Sequence, residues 1–383
     1  MKNSVSQILK ELVAIESVNP ALEENASGEK NVADYLEARC KNSGLKTIRQ
    51  PVLGDRDNLL IELRSPSEKP RPTLLLEAHM DTVGLGSMPN PLQPIERDGK
   101  LFGRGSVDNK ACLAGMLWAL ETAAAQKMDL SCDVVLAATV DEEHIFLGVL
   151  GLLEAGLNFS GAVVGEATQM QIVIAHKGVC RFTVQTHGRA AHSSIPHEGD
   201  SAISQMRKVL DFIADEIEPE LAKQNHPLCG GPTISVGTIN GGTQINIVPE
   251  LCEIQVDRRV IPGENSREVL QDFEKRLRDY TKESGVNFSI HELLLDNPLD
   301  TSSDESIVTV AQKVSSQCGL STRLLGVPYG SDASKLQSLG DIPSIVFGPG
   351  SIAQAHTAEE FVPLAEVKQA AEFYLQLMQN FGA

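Results

Sequence analysis

The segment TLLLEAHMDTV at residues 73–83 shows the pattern that decides the fold. Its apolar part does not alternate with polar residues, which is typical of a parallel strand buried on both faces. Three further apolar runs have the same form: DVVLAATV at 133–140, GAVVG at 161–165 and SIVF at 344–347. Helical patterns lie between the runs. Strand–helix alternation of this kind predicts an α/β sheet with helices on both faces.

The middle of the chain has a different order of elements and predicts a second domain. From about His176 the sequence favours a strand, a helix, two strands and a second helix, which resembles a small open sheet with two helices. We expect an inserted α+β domain at residues 177–290 and a larger domain formed by residues 1–176 and 291–383. A chain of 383 residues is long enough for two domains of ordinary size.

The composition excludes several classes of protein. Asp and Glu number 51 against 33 Lys and Arg, a formal net charge of −18, so nucleic acid and anionic membrane surfaces are not expected partners. No apolar run approaches the roughly 20 residues of a membrane span. Residues 1–20 predict an amphipathic helix rather than a signal peptide. The seven scattered cysteines form no C-x-x-C pair, which favours a reducing cytoplasm over a disulfide framework or a cysteine zinc site.

Polar residues follow the apolar runs at the points where the predicted strands end. Because ligands bind at the carboxyl ends of strands in open α/β sheets, these residues are expected along one rim. They are His79 and Asp81, Glu142 and Glu143, Glu166, and His356 after a short loop, with Asp108 added by the loop GRGSVD at 103–108. Each alone has an ordinary explanation: strand-end histidines are often structural, paired acids are often solvated, and Asp108 could cap a helix.

Together, these side chains favour a metal site. Carboxylates gathered on one rim raise one another's pKa, and a divalent cation removes that electrostatic penalty. A mixture of histidine and carboxylate suits zinc, cobalt or manganese better than calcium. The sequence contains no G-x-x-x-x-G-K-[ST] or G-x-G-x-x-G loop, no G-x-S-x-G elbow and no H-E-x-x-H helix, so those catalytic patterns do not compete.

At this point the chain resembles the co-catalytic zinc amidohydrolase family of acetylornithine deacetylase, succinyl-diaminopimelate desuccinylase, aminoacylase and glutamate carboxypeptidase. The resemblance spans nearly the whole chain. Its motifs are HMDTV (79–83), GRGSVDNK (103–110), DEE (141–143), GEAT (165–168), GRAAHSSIP (188–196), GGTQINIVP (241–249), DRRVIPG (257–263) and GPGSIAQAHTAEE (348–360). It implies a zinc-exopeptidase-like sheet with an inserted lid and dimerisation domain, and therefore a homodimer.

The resemblance also implies a site for two divalent metal ions. Zn²⁺ is expected, with Co²⁺ or Mn²⁺ as alternatives. His79 and Glu166 would bind one ion, Glu143 and His356 would bind the other, and Asp108 would bridge both with one oxygen to each. A water between the ions would be the nucleophile.

The family pattern assigns further roles around this site. Glu142 would be the general base that takes the proton of the water and later delivers it to the leaving amine. Asp81 would accept the second ring N–H of His79. His192 would stabilise the oxyanion by reaching across the dimer into the partner's site.

Substrate contacts are implied on both domains. Asn246 and Arg259 resemble the family residues that hold the substrate's carboxylate or amide, and Arg suits a carboxylate through paired hydrogen bonds. Gly330 matches a loop near the substrate, and Gly350 would let the backbone approach the ligand closely. For Asp332, a role near the substrate and a helix N-cap both stay open.

Two local expectations complete the site. Relatives often have a cis peptide bond after the bridging acid, so we expect one between Asp108 and Asn109. His144 follows the acid pair where a small or acidic residue is more usual. We interpret it as a partly exposed structural histidine, with an outer position in the metal site as the alternative.

The reaction implied is hydrolysis of an amide bond beside a carboxylate. The chain length and the GEAT and GPGSIAQAHTAEE segments favour acetylornithine deacetylase, which converts N-acetyl-L-ornithine to L-ornithine and acetate in arginine biosynthesis. A succinyl-diaminopimelate desuccinylase and a dipeptidase or carboxypeptidase of the same family are alternatives. A non-catalytic, metal-stabilised amino-acid-binding protein is a further alternative, although such a relative would be expected to lose Glu142 or a metal ligand.

Overall fold

The computed structural model describes residues 4–64 and 70–382. Its α-helices are α1 (Val5–Val13), α2 (Lys30–Ser43), α3 (Lys110–Ala125), α4 (Leu147–Glu154), α5 (Ala202–Phe212), α6 (Glu218–Leu221), α7 (Ser266–Thr281), α8 (Ser306–Gln317), α9 (Ala333–Gly340) and α10 (Leu364–Asn380). A π-helical turn, Ile213–Ile217, joins α5 to α6, and short 3-10 turns lie at Pro196–Glu198 and Ile352–Gln354.

The strands fall into three sheets. They are β1 (Lys46–Leu53), β2 (Arg56–Leu63), β3 (Thr73–His79), β4 (Ile95–Arg97), β5 (Lys100–Phe102), β6 (Asp133–Thr139), β7 (Gly161–Val164), β8 (Ile172–His176), β9 (Gly178–His187), β10 (Thr233–Gly241), β11 (Leu251–Val260), β12 (Phe288–Asp296), β13 (Leu299–Asp300), β14 (Leu324–Val327), β15 (Ser344–Val346) and β16 (Phe361–Pro363). The chain forms two compact units, the first comprising the residues up to Ile174, Thr301–Leu325 and those from Ser331 onward.

The sheet of the first unit runs in the order β1-β2-β6-β3-β7-β15, followed by β8. Its central strands β6, β3, β7 and β15 are parallel to their neighbours in this group, and they are the four apolar runs of the sequence. Almost all of their residues are buried, because helices cover both faces of the sheet. Helices α1, α2, α3, α8 and α10 pack on one face, and α4 and α9 on the other. This is the predicted α/β architecture.

The second unit comprises Ala175–Asp300 and Gly326–Gly330. It contains a four-stranded antiparallel sheet in the order β10-β11-β9-β12, with α5 and α7 packed against β9. Burial alternates along β11, as expected where helices cover one face only. Phe273 packs between Phe182 and Phe212 with its ring inclined to both, and the ring centroids lie 4.8 and 5.4 Å away. The predicted limits of the inserted domain, 177–290, lie inside this unit, and the second limit falls within β12.

The first helix, the cysteines and the possibility of a membrane span can be compared with the expectations from the sequence. Helix α1 buries Val5, Ile8, Leu9, Leu12 and Val13 along one side, and residues 1–3 of the predicted amphipathic segment lie outside the described residues. All seven cysteines are free thiols. Among the helices of the described residues, none combines the length and the apolar character needed to cross a bilayer.

The loop between β6 and α4 is closed by a compact set of backbone contacts. The amide N–H of Gly148 donates to the carbonyl of Val140 at 2.9 Å. The side chain of Asn58, on β2, accepts from the N–H of Val140 at 3.1 Å and donates to the carbonyl of Gly148 at 2.8 Å. A Cβ atom on Gly148 would collide with the backbone of Val140 and lie 2.9 Å from Oδ1 of Asn58. Glycine is therefore required where α4 meets this loop.

Two alanine substitutions in α4 separate this requirement from ordinary helix propensity. We expect Gly148→Ala to lower the free energy of unfolding by about 1–3 kcal/mol, because the added methyl overpacks the loop. Gly151→Ala is the matched control, since its Cβ would lie 3.4 Å from Val52, an ordinary contact. The control should stabilise by up to about 1 kcal/mol through helix propensity. Equal effects in urea unfolding experiments would contradict this interpretation.

Candidate metal centre

The strand ends of the first unit bring the predicted ligands together. His79 is the last residue of β3, Glu143 lies in the loop after β6, and Glu166 follows β7 by two residues. His356 lies in the loop after β15, and Asp108 lies two residues before the first residue of α3, Lys110. The central strands are parallel, so their carboxyl ends meet at one edge of the sheet, and the loops leaving that edge converge.

Asp108 lies between the two histidines. Its Oδ1 is 3.0 Å from Nε2 of His79, and its Oδ2 is 3.2 Å from Nε2 of His356. Glu166 approaches the same nitrogen of His79 at 3.6 Å, and Glu143 approaches Nε2 of His356 at 3.3 Å. The two halves of the cluster therefore share one carboxylate, with one oxygen directed to each half.

The donor set fits divalent metal ions. Ligand atoms of His79, Glu142 and Glu166 lie within 4.8 Å of one another, and so do those of His79, Asp108 and Glu143. His79 is 1% exposed, whereas half of the His356 side chain is exposed, so the cluster is open on the His356 side. Buried imidazole and carboxylate groups around an open side are the chemistry of a catalytic zinc-type site.

The electrostatics of the cluster show why it would take up cations. Burial raises the pKa of Glu142 to about 8, with His79 opposing the shift and Glu143 adding to it. Burial and the charge of Asp108 also raise the pKa values of Glu143 and Glu166. Hydrogen bonds to Asp108 and Glu143 raise the pKa of His356 to about 10. Without metal, the cluster must hold protons to limit repulsion between its carboxylates, and divalent ions would replace those protons.

Asp81 holds the loop of Glu142 and Glu143 beside the predicted ligand His79. Its carboxylate accepts the backbone N–H of Glu142 at 3.2 Å and that of Glu143 at 3.1 Å. Nδ1 of His79 lies 3.0 Å from the backbone carbonyl of Asp81 and 3.4 Å from its carboxylate. The expected partner of the His79 ring was the carboxylate, and in the structure the carbonyl of the same residue lies closer because the carboxylate is directed to the Glu142 loop.

A second carboxylate, which sequence analysis missed, orders the loop of Asp108. Glu360 is 1% exposed and accepts the N–H groups of Val107 at 3.0 Å and of Asp108 at 3.3 Å. It also forms an ion pair with Arg104 at 2.6 Å. The available signal was its position four residues after His356, inside the last motif. The peptide bond between Asp108 and Asn109 is cis, as expected.

The other predicted residues lie outside this cluster. His192, Asn246, Arg259 and Gly330 belong to the second unit. His192 and Asn246 occupy neighbouring exposed segments, linked by a hydrogen bond of 3.0 Å from the N–H of Ser193 to the carbonyl of Asn246. The half-buried Arg259 pairs with Asp257 at 2.8 Å. The structure describes these positions, and their roles in substrate binding stay predictions.

Three remaining positions belong to the first unit. Gly350 has a φ of +80°, and a Cβ there would collide with Val107, so no side chain fits at this turn. Asp332 lies at the N-cap position of α9, but its side chain makes no capping hydrogen bond. Among residues 4–64 and 70–382, neither of its buried oxygens has a hydrogen-bond partner. His144 is partly exposed, and its Nδ1 lies 3.8 Å from Asp141.

Comparisons with known proteins establish the family. Residues 75–380 match the sequence profile of peptidase family M20/M25/M40, so the chain belongs to this family and is a metal-dependent hydrolase. The acetylornithine deacetylase of Myxococcus xanthus is 29% identical over 356 residues, which are 91% of each chain. These matches confirm the resemblance found in the sequence motifs.

Solved structures confirm the fold. The aminopeptidase PepT of Bacillus cereus has a TM-score of 0.82 at 20% identity, covering 100% of this chain and 99% of its own. A dinuclear metal-binding peptidase of the M20 family from Bacillus subtilis has a TM-score of 0.75 at 14% identity, covering 97% of this chain and 96% of its own.

The raised pKa values predict that metal binding releases protons. In the metal-free protein at pH 7, His79 and His356 carry protons because both pKa values lie above their ordinary range. Binding of Zn²⁺ should release at least about two protons, one from each histidine, together with those of ligand carboxyls whose pKa is raised, such as Glu166, and affinity should rise with pH because protons compete for the same ligand atoms. Calorimetric titration in buffers of different ionisation enthalpy measures this number. A His356→Gln variant should release fewer protons, and a titration heat that is independent of the buffer would contradict the assignment.

Proposed function

We propose that this protein hydrolyses the amide bond of an N-acyl amino acid, with N-acetyl-L-ornithine as substrate and L-ornithine and acetate as products. The main observation in favour of this proposal is that two consecutive glutamates, Glu142 and Glu143, lie at a cluster of histidine and carboxylate donors. The named function of the Myxococcus xanthus relative supports the choice of substrate. The reaction would belong to arginine biosynthesis in the cytoplasm.

Two divalent ions, Zn²⁺ first and Co²⁺ or Mn²⁺ as alternatives, would occupy the cluster. His79 and Glu166 would hold one ion, Glu143 and His356 the other, and Asp108 both. When bound, the ions supply positive charge that polarises the scissile carbonyl and lowers the pKa of the attacking water. The dinuclear site named for the Bacillus subtilis neighbour supports the number of ions.

Glu142 would act as the general base. Asp81 accepts the backbone N–H groups of Glu142 and Glu143, and their side chains approach different histidines, His79 and His356 respectively. Glu143 lies 3.3 Å from His356, whereas Glu142 lies 4.0 Å from His79, further than the ligand Glu166. This leaves the Glu142 carboxylate available to accept a proton from water and to return it to the leaving amine.

The second unit would supply substrate contacts and serve as lid and dimerisation domain. Arg259 would bind the carboxylate of the N-acyl amino acid in a bidentate manner, and its ion pair with Asp257 would fix the plane of the guanidinium. Asn246 would bind the amide or the carboxylate. His192 would stabilise the oxyanion from the partner subunit of a homodimer, and the backbone at Gly330 and Gly350 would lie next to the ligand.

A substrate panel tests the proposed reaction. The Zn²⁺- or Co²⁺-loaded protein is assayed with N-acetylornithine, N-succinyl-diaminopimelate, N-acetylmethionine and a dipeptide. We expect N-acetylornithine to give the highest kcat/KM. A higher kcat/KM for the succinylated substrate or the dipeptide would show that N-acetylornithine is not the preferred substrate, although the reaction would still be amide hydrolysis. A protein that binds metal but hydrolyses none of them would favour an amino-acid-binding function.

Substitution of the proposed base separates chemistry from metal binding. We expect Glu142→Gln to lower kcat on the order of 10²–10⁴-fold, because proton transfer is lost while the ligands are kept. Metal content, measured by mass spectrometry, should stay at the wild-type level. Glu96→Gln is the matched control, since Glu96 is an exposed carboxylate paired with Lys10 at 2.7 Å. Retained activity in Glu142→Gln would overturn the assignment.

Substitution of the proposed oxyanion ligand tests the role of the second unit. We expect His192→Ala to lower kcat by about 10²–10³-fold, since a donor to the developing oxyanion is removed, without a change in metal content. His197→Ala is the control, because His197 is an exposed histidine of the same segment. Equal turnover in the two variants would remove His192 from the mechanism and with it the predicted contact across a dimer.

A further inference from the structure

The buried side-chain amide of Asn19 joins two loops of the proposed metal site. One loop follows β3, which ends at His79, and the other follows β6 and carries Glu142 and Glu143. Nδ2 of Asn19 donates to Oδ2 of Asp81 at 2.8 Å and to Oδ1 of Asp141 at 3.0 Å. Asn19 is fully buried, as are both acceptors, which are exposed by 1% or less. Asp81 belongs to the loop after β3, and Asp141 belongs to the loop after β6. The Asn19 side chain therefore bridges two strand ends that lie far apart in sequence.

Asn19 is itself held in place by its neighbours. Its backbone N–H donates to the carbonyl of Thr82 at 2.9 Å, and its Oδ1 accepts the N–H of Ala21 at 3.0 Å. The N–H of Thr82 donates back to the carbonyl of Ser17 at 3.0 Å. The segment before α2 thus forms a short bridge with the loop after β3, and this bridge fixes the direction in which the Asn19 amide points.

Asp141 needs surrounding contacts such as the hydrogen bond from Asn19 because its backbone conformation is unfavourable. Its φ of +66° lies in the left-handed region, which a residue with a side chain adopts at a cost unless its surroundings impose it. Glu29 accepts the N–H of Asp141 at 3.1 Å, and Arg56 pairs with Glu29 at 2.5 Å and with Asp141 at 3.0 Å. Asn19 completes this set of contacts on the side of Asp81.

Asparagine suits this position better than other small polar residues. A primary amide offers two N–H donors on one nitrogen together with a carbonyl acceptor, and Asn19 uses all three. An aspartate would offer no donor and would place a third carboxylate beside Asp81 and Asp141. Like charges at short distance in a buried site repel strongly, so the two loops would be driven apart.

We propose that Asn19 is a positioning residue that sets the loop of Glu142 and Glu143 against His79. It acts through Asp81, which holds the backbone of both glutamates, and through Asp141, which precedes them. The effect on turnover rests on the proposed function. The effect on the loop does not, because it depends only on the hydrogen bonds of the described structure. The effect on metal affinity depends on the cluster of histidine and carboxylate donors and not on the substrate or the reaction.

The test compares Asn19→Asp, which is isosteric but lacks both donors, with Asn19→Ser, which is smaller and keeps one hydroxyl donor. The control is Arg39→Met, which removes a largely buried ion pair of 2.8 Å with Glu121 between α2 and α3, so that loss of stability alone can be judged. Hydrogen–deuterium exchange of residues 141–143 is measured in the metal-free protein. Zn²⁺ affinity is measured by titration, and kcat and KM are measured on the loaded protein.

Both Asn19 variants should increase exchange of the Glu142 and Glu143 amides at least about tenfold and weaken Zn²⁺ binding by about 10–100-fold, the range found for residues that orient ligands. At saturating metal, kcat should fall by about 10–100-fold with KM nearly unchanged, and the loss should be smaller in Asn19→Ser. Arg39→Met should change none of these. Exchange and affinity at wild-type levels in both Asn19 variants, or equal changes in Arg39→Met, would overturn the proposal.

The outcomes also separate this proposal from the proposed function. If the wild-type protein hydrolyses none of the N-acyl amino acids, the proposed function fails, and exchange and Zn²⁺ affinity still decide the role of Asn19. If the wild-type protein is active and the Asn19 variants keep full kcat with an undisturbed loop, the proposed function stands and the positioning role fails. Should Asn19→Asp not fold, Asn19→Ser gives the same comparison without an added charge.

Discussion

The constraint that governs this structure is the concentration of carboxylates at one buried edge of a parallel sheet. Asp108, Glu143 and Glu166 lie within about 4 Å of histidine nitrogens, and Glu142 lies beside them. Such a group is stable only when protons or cations balance its charge. The parallel strands deliver these side chains to one place, and the histidines hold the balancing charge when no ion is bound. The surrounding fold must therefore keep the loops in place against repulsion between their own side chains.

Buried acids whose carboxylates accept backbone N–H groups are the device that keeps the loops in place. Asp81 binds the amides of Glu142 and Glu143, Glu360 binds the amide of Asp108, and Glu29 binds the amide of Asp141. A carboxylate with two oxygens can hold several donors in a fixed geometry. Arg104 and Arg56 neutralise Glu360 and Glu29 respectively. The acids of this region thus have two separate tasks. Some belong to the cluster that is proposed to hold metal, and others accept hydrogen bonds from the backbone of the loops that carry the cluster.

Much of the fold and of the cluster could be predicted from the sequence, because both follow local patterns. The four apolar runs are the four central parallel strands, and the polar residues after them meet at one edge, as the rule for parallel sheets requires. Asn19, Glu29 and Arg56 were missed. They follow no buried parallel strand and belong to none of the eight motifs, and the side-chain contacts that connect them to Asp81, to Asp141 and to one another span 27 to 122 positions. Only the folded chain shows that they meet behind the Glu142 loop.

The strand order has a consequence for how the protein is made. β15, which ends at Val346, lies between β7 and β8, strands that end at Val164 and His176 and are therefore synthesised about 170–180 residues earlier. The sheet of the first unit stays open in its interior until β15 has been synthesised, and His356 and Glu360 follow later still. The second unit, whose main segment ends at Asp300, is by then largely complete. Domains generally fold as units in the order of their synthesis, so the inserted unit would fold first and the metal cluster would assemble last.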